Sequence, residues 1–160
     1  MGLDITAYKN LKKVENPELD EEGFPVNWDS EYMAGGGMDW SESVWPKRGE
    51  GLDAHTVYSY DDSFDFRAGS YGGYNMWRSQ LEKFKGDVAF QELIDFADNE
   101  GVIGSVVSKK LYNDFVTNEK EAIVFAVELG ELSGDYWIAK YYDWKKAFEY
   151  AQENGCVDFH

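Results

Sequence analysis

The stretch "FRAGSYGGYNMWRSQLEKFKG", residues 66–86, marks where the chain stops reading as strand and starts reading as helix. Upstream, "HTVYSYDDSFDFRAG" (55–69) sets β-branched and aromatic residues around a polar "DDS", the pattern of a short hairpin or of two strands. From Ser70 onward the apolar spacing changes. Tyr74, Trp77, Leu81 and Phe84 recur at intervals of three and four, so they share one face of a helix. Ser70 is placed to accept a hydrogen bond from a first-turn N–H as N-cap, and Gly86 to stop the helix after Lys85.

Working outward, "LDITAYK" (3–9) alternates Leu3, Ile5 and Ala7 against Asp4, Thr6 and Tyr8, a half-buried strand. The closing "CVDFH" (156–160) alternates again and is expected as a last strand beside the first. Between them the period is helical. "VAFQELIDFADN" (88–99) predicts a second helix, through Phe90, Leu93, Ile94 and Ala97. "SVVSKKLYNDF" (105–115) predicts a third and "NEKEAIVFAVEL" (118–129) a fourth. "GDYWIAKYYDWKKAFEYAQEN" (134–154) predicts the longest, with Trp137, Tyr141, Trp144, Phe148 and Ala151 on one stripe. Two segments, 15–29 and 34–51, read as long loops on their Pro and Gly content. Trp40 and Trp45 argue that the second is ordered, closed over a site or, the favoured option, pinned to the body. The expectation is one α+β domain over residues 1–160. A small antiparallel sheet of N-terminal, middle and C-terminal strands packs against four to five helices.

Composition narrows the function classes. The chain has 160 residues and a net charge of −16, from 15 basic and 31 acidic side chains. Direct binding to a nucleic-acid backbone needs clustered Lys and Arg and is not expected. A single cysteine, Cys156, excludes an intramolecular disulfide and suits a reducing compartment. The first ten residues lack the basic-then-apolar pattern of a secretory signal, and no apolar run reaches the length of a membrane span. A cytoplasmic protein is expected. The charge is uneven. Residues 66–85 hold 4 basic groups and 1 acidic group, in a chain that is otherwise acidic throughout. Such a local cationic island hints at an anionic partner.

Motifs of established chemistry are absent. "AGSYG" (68–72) lacks the spacing of a nucleophile elbow, and "AGGGM" (34–38) lacks the lysine of a phosphate-binding loop. No cofactor or metal is expected. Asp61, Asp62 and Asp65 read as solvated carboxylates rather than a cation loop, and His160 as a terminal residue beside a terminal carboxylate. "DFADNEG" (95–101) puts Asp98 and Glu100 at a helix end, where they can cap the next helix, bind a metal, or accept hydrogen bonds from a ribose or base.

The opening stretch carries the strongest candidate site. Tyr71, Asn75 and Arg78 fall on a face rotated from the apolar stripe, with Arg67 just before the cap. Arginine forks suit phosphate, Tyr71 and Tyr74 offer rings for stacking, and Ser70 and Asn75 offer hydrogen bonds. The alternative is an amphipathic helix whose arginines pair with nearby acids. Asp98, Glu100 and His160 complete the candidate ligand-binding set, and none of these residues is assigned a catalytic role.

At these residues the chain resembles a family of short, uncharacterised phage and prophage proteins. The resemblance lies in "MGLDITAY" (1–8), "FRAGSYGGYNMWR" (66–78), "ELIDFADNEGVIG" (92–104) and "VDFH" (157–160), and spans most of the chain apart from the acidic loops. Relatives often carry Ser at the place of Gly72 and Cys at that of Asn99, so thiol chemistry is not carried over to position 99. The resemblance implies a phage setting, in which small accessory proteins often disarm host defence. The expected function is therefore capture of a nucleotide-derived signal, cyclic or ADP-ribose-like, without cleavage. One alternative is an acidic mimic of nucleic acid, docking on the basic groove of a host nuclease or CRISPR complex. The other is a small hydrolase using His160 and neighbouring carboxylates. The expected partners are thus a small nucleotide-like ligand or a basic host defence protein, with self-association as a further expectation.

Overall fold

A computed structural model describes residues 2–96 and 100–160. Strand β1 (Gly2–Lys9) lies inside a four-stranded sheet. It pairs antiparallel with β5 (Asp62–Ser70) on one side and with β7 (Cys156–Phe159) on the other. β6 (Gly101–Gly104) pairs antiparallel with β7, giving the order β5-β1-β7-β6. The last strand thus sits beside the first, as the matching alternation at the two ends predicts. A second, three-stranded sheet joins β2 (Lys12–Lys13), β4 (Tyr58–Ser59) and β3 (Glu31–Tyr32) in the order β2-β4-β3. The α+β class and the placing of strands in the N-terminal, middle and C-terminal parts of the chain hold.

Six helices are described. They are α1 (Gly35–Val44), α2 (Tyr71–Lys85), α3 (Gln91–Ile94), α4 (Ser105–Thr117), α5 (Glu119–Glu128) and α6 (Glu131–Ala151). One face of the large sheet presents Leu3, Ile5, Ala7, Ala68, Ile103, Val157 and Phe159 to α2, α4 and α6, and all of these are buried. The α6 stripe is buried as its spacing predicts, and Trp77, Trp137 and Trp144 stack in its centre. A buried tyrosine or tryptophan usually finds a partner for its polar tip. The Tyr141 hydroxyl donates to the Phe115 carbonyl at 2.6 Å, and the Trp77 indole N–H to the Trp137 carbonyl at 3.1 Å. Gly134 lets α6 cross α5 closely, because a Cβ there would run into the Ala126 carbonyl.

Three local expectations are corrected. The 34–51 loop contains α1, a ten-residue helix whose Met38 and Ser41 are buried against the other face of the sheet. Its glycines hid a helix whose stability comes from tertiary packing. Trp45 packs on Phe96 at 5.2 Å between ring centroids, which fits pinning of this segment to the body. The helix expected over 88–99 is cut to four residues because Phe90 adopts a left-handed conformation, φ 66°. The Phe90 N–H donates instead to Asp114 at 3.0 Å. Ala97 of that expected face lies outside the described residues. Residues 101–104, of which the sequence reading places only Gly101 at a helix end and gives the rest no element, form β6, buried throughout. Among the described residues no helix is long and apolar enough to cross a membrane.

Candidate functional site

Strand alternation puts one set of residues on the helix side of the large sheet and the other set on its outer face. The outer set is polar over β5, β1 and the end of β7. Register places Asp65, Thr6 and Asp158 side by side across β5, β1 and β7. A second row runs Arg67, Asp4, His160. Asp4 and His160 exchange backbone hydrogen bonds of 2.8 and 2.9 Å, so the last residue is paired into the sheet.

The side chains of these rows are connected. The Thr6 hydroxyl donates to Asp65 Oδ1 at 2.7 Å and lies 2.9 Å from His160 Nε2. With its proton given to Asp65, the hydroxyl accepts from Nε2, so His160 carries a proton on that nitrogen. The Tyr32 phenol donates to Asp158 Oδ1 at 2.9 Å. Burial pushes the Asp158 carboxyl up to about 6. The Tyr32 hydrogen bond and His160 pull the other way, and Glu100 adds to the rise. Burial likewise holds the Tyr32 phenol and the Cys156 thiol well above their usual ranges.

Half of this outer face is covered by α1 and the small sheet, through a second apolar cluster that includes Tyr32, Met38, Val102 and Cys156. The uncovered part opens into a cleft of about 650 Å³ between the end of β7 and the starts of β6, α1 and α2. Tyr71, Glu100, Asp158 and His160 line it together with Gly36 and Gly37. A second hollow of about 320 Å³ continues past Asp158 and His160 to Thr6 and to Trp28, which is 80 % exposed. Among the described residues no side chain caps the α1 start. Its first-turn N–H groups at Gly36 and Gly37 therefore point out of the helix with the positive end of its dipole.

The candidate residues named from sequence divide into separate groups. Tyr71, Glu100 and His160 meet in the cleft. Ser70 caps α2 as expected, its hydroxyl accepting from the Gly73 N–H at 3.0 Å. Arg67 Nη1 donates to both carboxylate oxygens of Asp4, at 3.1 and 3.2 Å, towards the exposed edge of the sheet. Arg78 is directed elsewhere. It donates to the Ile94 carbonyl at 2.8 Å, to the Phe96 carbonyl and to Asn75 Oδ1, and lies over the Tyr74 ring. It clamps the end of α3 to α2. Tyr74 is fully buried against Trp144 and Phe159. Asp98 lies outside the described residues.

The three carboxylates of "DDSFD" do not converge. Asp61 takes hydrogen bonds from Asn10 and Lys12, which hold its carboxyl below the usual range. Asp62 accepts from the Tyr150 phenol at 3.0 Å, and Asp65 from Thr6. Among the described residues, no group of three or more His, Cys, Asp or Glu side chains could hold a metal ion.

Sequence reasoning missed Thr6, Tyr32, Asp158, Gly36 and Gly37. A signal for two of them was present. The alternation that puts Leu3, Ile5 and Ala7 inside puts Thr6 outside, and the same logic on "CVDFH" pairs Asp158 with His160 on one face. In comparisons with known proteins, no family model, no curated protein and no solved structure matches the chain.

Proposed function

We propose that the protein is a binding protein that captures a nucleotide-derived small molecule, cyclic-nucleotide-like or ADP-ribose-like, in the cleft at the ends of β6 and β7. One observation carries the reading: Tyr71, Glu100, Asp158 and His160 converge on the glycine start of α1. The cleft volume, about 650 Å³, lies in the range of small-molecule sites. Each group has a place in such a complex. The Gly36 and Gly37 N–H groups and the helix dipole suit a phosphate. The Tyr71 ring offers a surface to a planar base. The Glu100 and Asp158 carboxylates accept from ribose hydroxyls or an exocyclic amine. Arg67 and Arg78, the phosphate ligands expected from sequence, take no part, because their guanidinium groups are held by Asp4 and by carbonyls.

The direction of the Thr6 network counts against the hydrolase alternative that uses His160 as a base. A hydroxyl nucleophile must give its proton to a base. Thr6, the hydroxyl bonded to His160, gives its proton to Asp65 and receives one from the imidazole. The imidazole is therefore not a base for Thr6, and the network holds His160 in place. The phage-family resemblance supplies the setting, sequestration of a nucleotide-derived immune signal inside an infected cell.

The test is a thermal-shift screen of mono-, di- and cyclic nucleotides and ADP-ribose derivatives, followed by heat release and mass analysis of the ligand. An upward shift with intact ligand returned is the expected result. Altered ligand makes the protein an enzyme. A flat screen combined with salt-sensitive binding to a basic nuclease moves the function to the acidic loops. Gly36→Leu separates fold from function, because a Cβ at Gly36 meets no atom within 4 Å. This variant should fold and lose the ligand shift.

A further inference from the structure

Helix α5 departs from the amphipathic rule that the other long helices obey. Its centre, "AIVFAV" (122–127), is apolar on every side. Ala122 and Ala126 are buried, and Phe125 packs against the main core. Val124 and Val127 point away from it, 59 % and 77 % exposed, and Leu132 at the start of α6 is 88 % exposed. A helix that is apolar all round has a second surface to bury. On a chain carrying −16 charges, an apolar ridge of this kind marks a surface fit to be covered.

We propose that this ridge is the interface of a symmetric homodimer, with α5 of one copy packed antiparallel on α5 of a second copy. The argument rests on charge and shape. Lys120, Val124 and Glu128 stand at i, i+4 and i+8, with Val127 alongside, so they form one stripe. Lys120 and Glu128 are both exposed, and neither has an ion-pair partner among the described residues. They are roughly 12 Å apart along the helix, too far to pair with each other. An antiparallel copy related by a two-fold axis at Val124 solves both problems at once. Val124 meets its own counterpart, and each Lys120 faces the other copy's Glu128. Residue i meeting j while j meets i is the signature of such isologous contacts. The opposed helix dipoles add to the fit.

Grooves flank the ridge on both sides. One of about 360 Å³ is lined by Ile123, Val127, Gly130 and Ile138, and one of about 590 Å³ by Lys83, Phe84, Val124 and Phe125. They give side chains of the second copy room to insert. Val124, Val127 and Leu132 are few beside the roughly 20–30 residues a side of a standard interface, which points to a dimer of modest affinity.

Sedimentation velocity of the full chain over a concentration series tests this. Wild type should pass from monomer to dimer within the micromolar range. Val124→Glu places two carboxylates on the two-fold axis and should raise the dimer dissociation constant about tenfold or more. Being exposed, the site should keep its circular-dichroism spectrum and melting point. Lys120→Glu and Glu128→Lys should each weaken the dimer a few-fold, about the effect of an exposed ion pair, and the two together should restore it. A monomer at every concentration overturns the proposal, and so does a dimer indifferent to Val124→Glu. Failure of the double variant to recover overturns the antiparallel register. None of these outcomes bears on ligand capture, which lies in the β6–β7 cleft.

Discussion

The two faces of the large sheet are built from the same strands and obey opposite rules. On the helix side, Leu3, Ile5, Ala7, Val157 and Phe159 meet a layer of aromatic rings, and the contacts are interchangeable in kind. On the outer side, Thr6 is joined to Asp65 and His160, and Asp158 to Tyr32, by directional bonds that depend on protonation. The apolar face supplies stability in bulk because burial is roughly proportional to area. The polar face contributes little net stability, since each of its hydrogen bonds replaces one to water. What it supplies is a fixed arrangement of donors and acceptors at the mouth of a cleft.

The largest way to break the comparison is on the helix side. Trp144, which is 1 % exposed and touches Trp77, Tyr74 and Phe159, should cost about 3–5 kcal/mol when changed to Ala. Chemical denaturation measures this, and a loss below about 1 kcal/mol would mean that the aromatic layer is loosely packed.

The two arginines of the opening stretch give the next test. Arg78→Ala strands the carbonyls of Ile94 and Phe96 and should cost about 1–3 kcal/mol. Arg67→Ala removes an exposed pair and should cost about 0–1 kcal/mol. Equal losses in the same denaturation series would sink the distinction between a clamp and a surface pair.

The polar face offers a pH experiment. The Asp158 carboxyl titrates near 6 in the folded chain and from the ordinary 3.8 when unfolded. The folded state therefore binds more protons between those values, and stability falls as pH rises from about 4 to about 6. Asp158→Asn keeps an acceptor for Tyr32 and removes this penalty. It should melt above wild type at pH 7.5 and converge with it below pH 4. If the variant melts lower at pH 7.5, the ionised carboxylate is worth more to Tyr32 and His160 than its burial costs.

Much of the fold was legible in the residues. Periods of two at 3–9 and 156–160 and of three to four in α2, α4 and α6 report which face is buried, because side-chain direction follows backbone geometry. The N-cap at Ser70 was legible for the same local reason. α1 and β6 were not. A helix opening on three glycines is held by Met38 and Ser41 packing on the sheet, and a four-residue strand buried on both faces shows no alternation to read. The candidate site was partly legible. Tyr71, Glu100 and His160 were singled out, but they lie in distant parts of the chain and their convergence is a property of strand order. Arg67 and Arg78 looked alike in sequence. Asp4 across the strand and the carbonyls at the end of α3 give them different roles.

The sequence by itself determined the α+β class, the helix stripes, the capped start of α2 and the pairing of the two chain ends as strands. These follow from rules that act over a few residues. Only the tertiary structure decided that part of the outer face is a polar ladder, that Asp158 sits half-buried against Tyr32, and that Glu100 lies against Gly37 of α1 in the wall of a cleft. Those features depend on register and on contacts between residues far apart in the chain. No local period encodes which side chain from another strand will stand opposite.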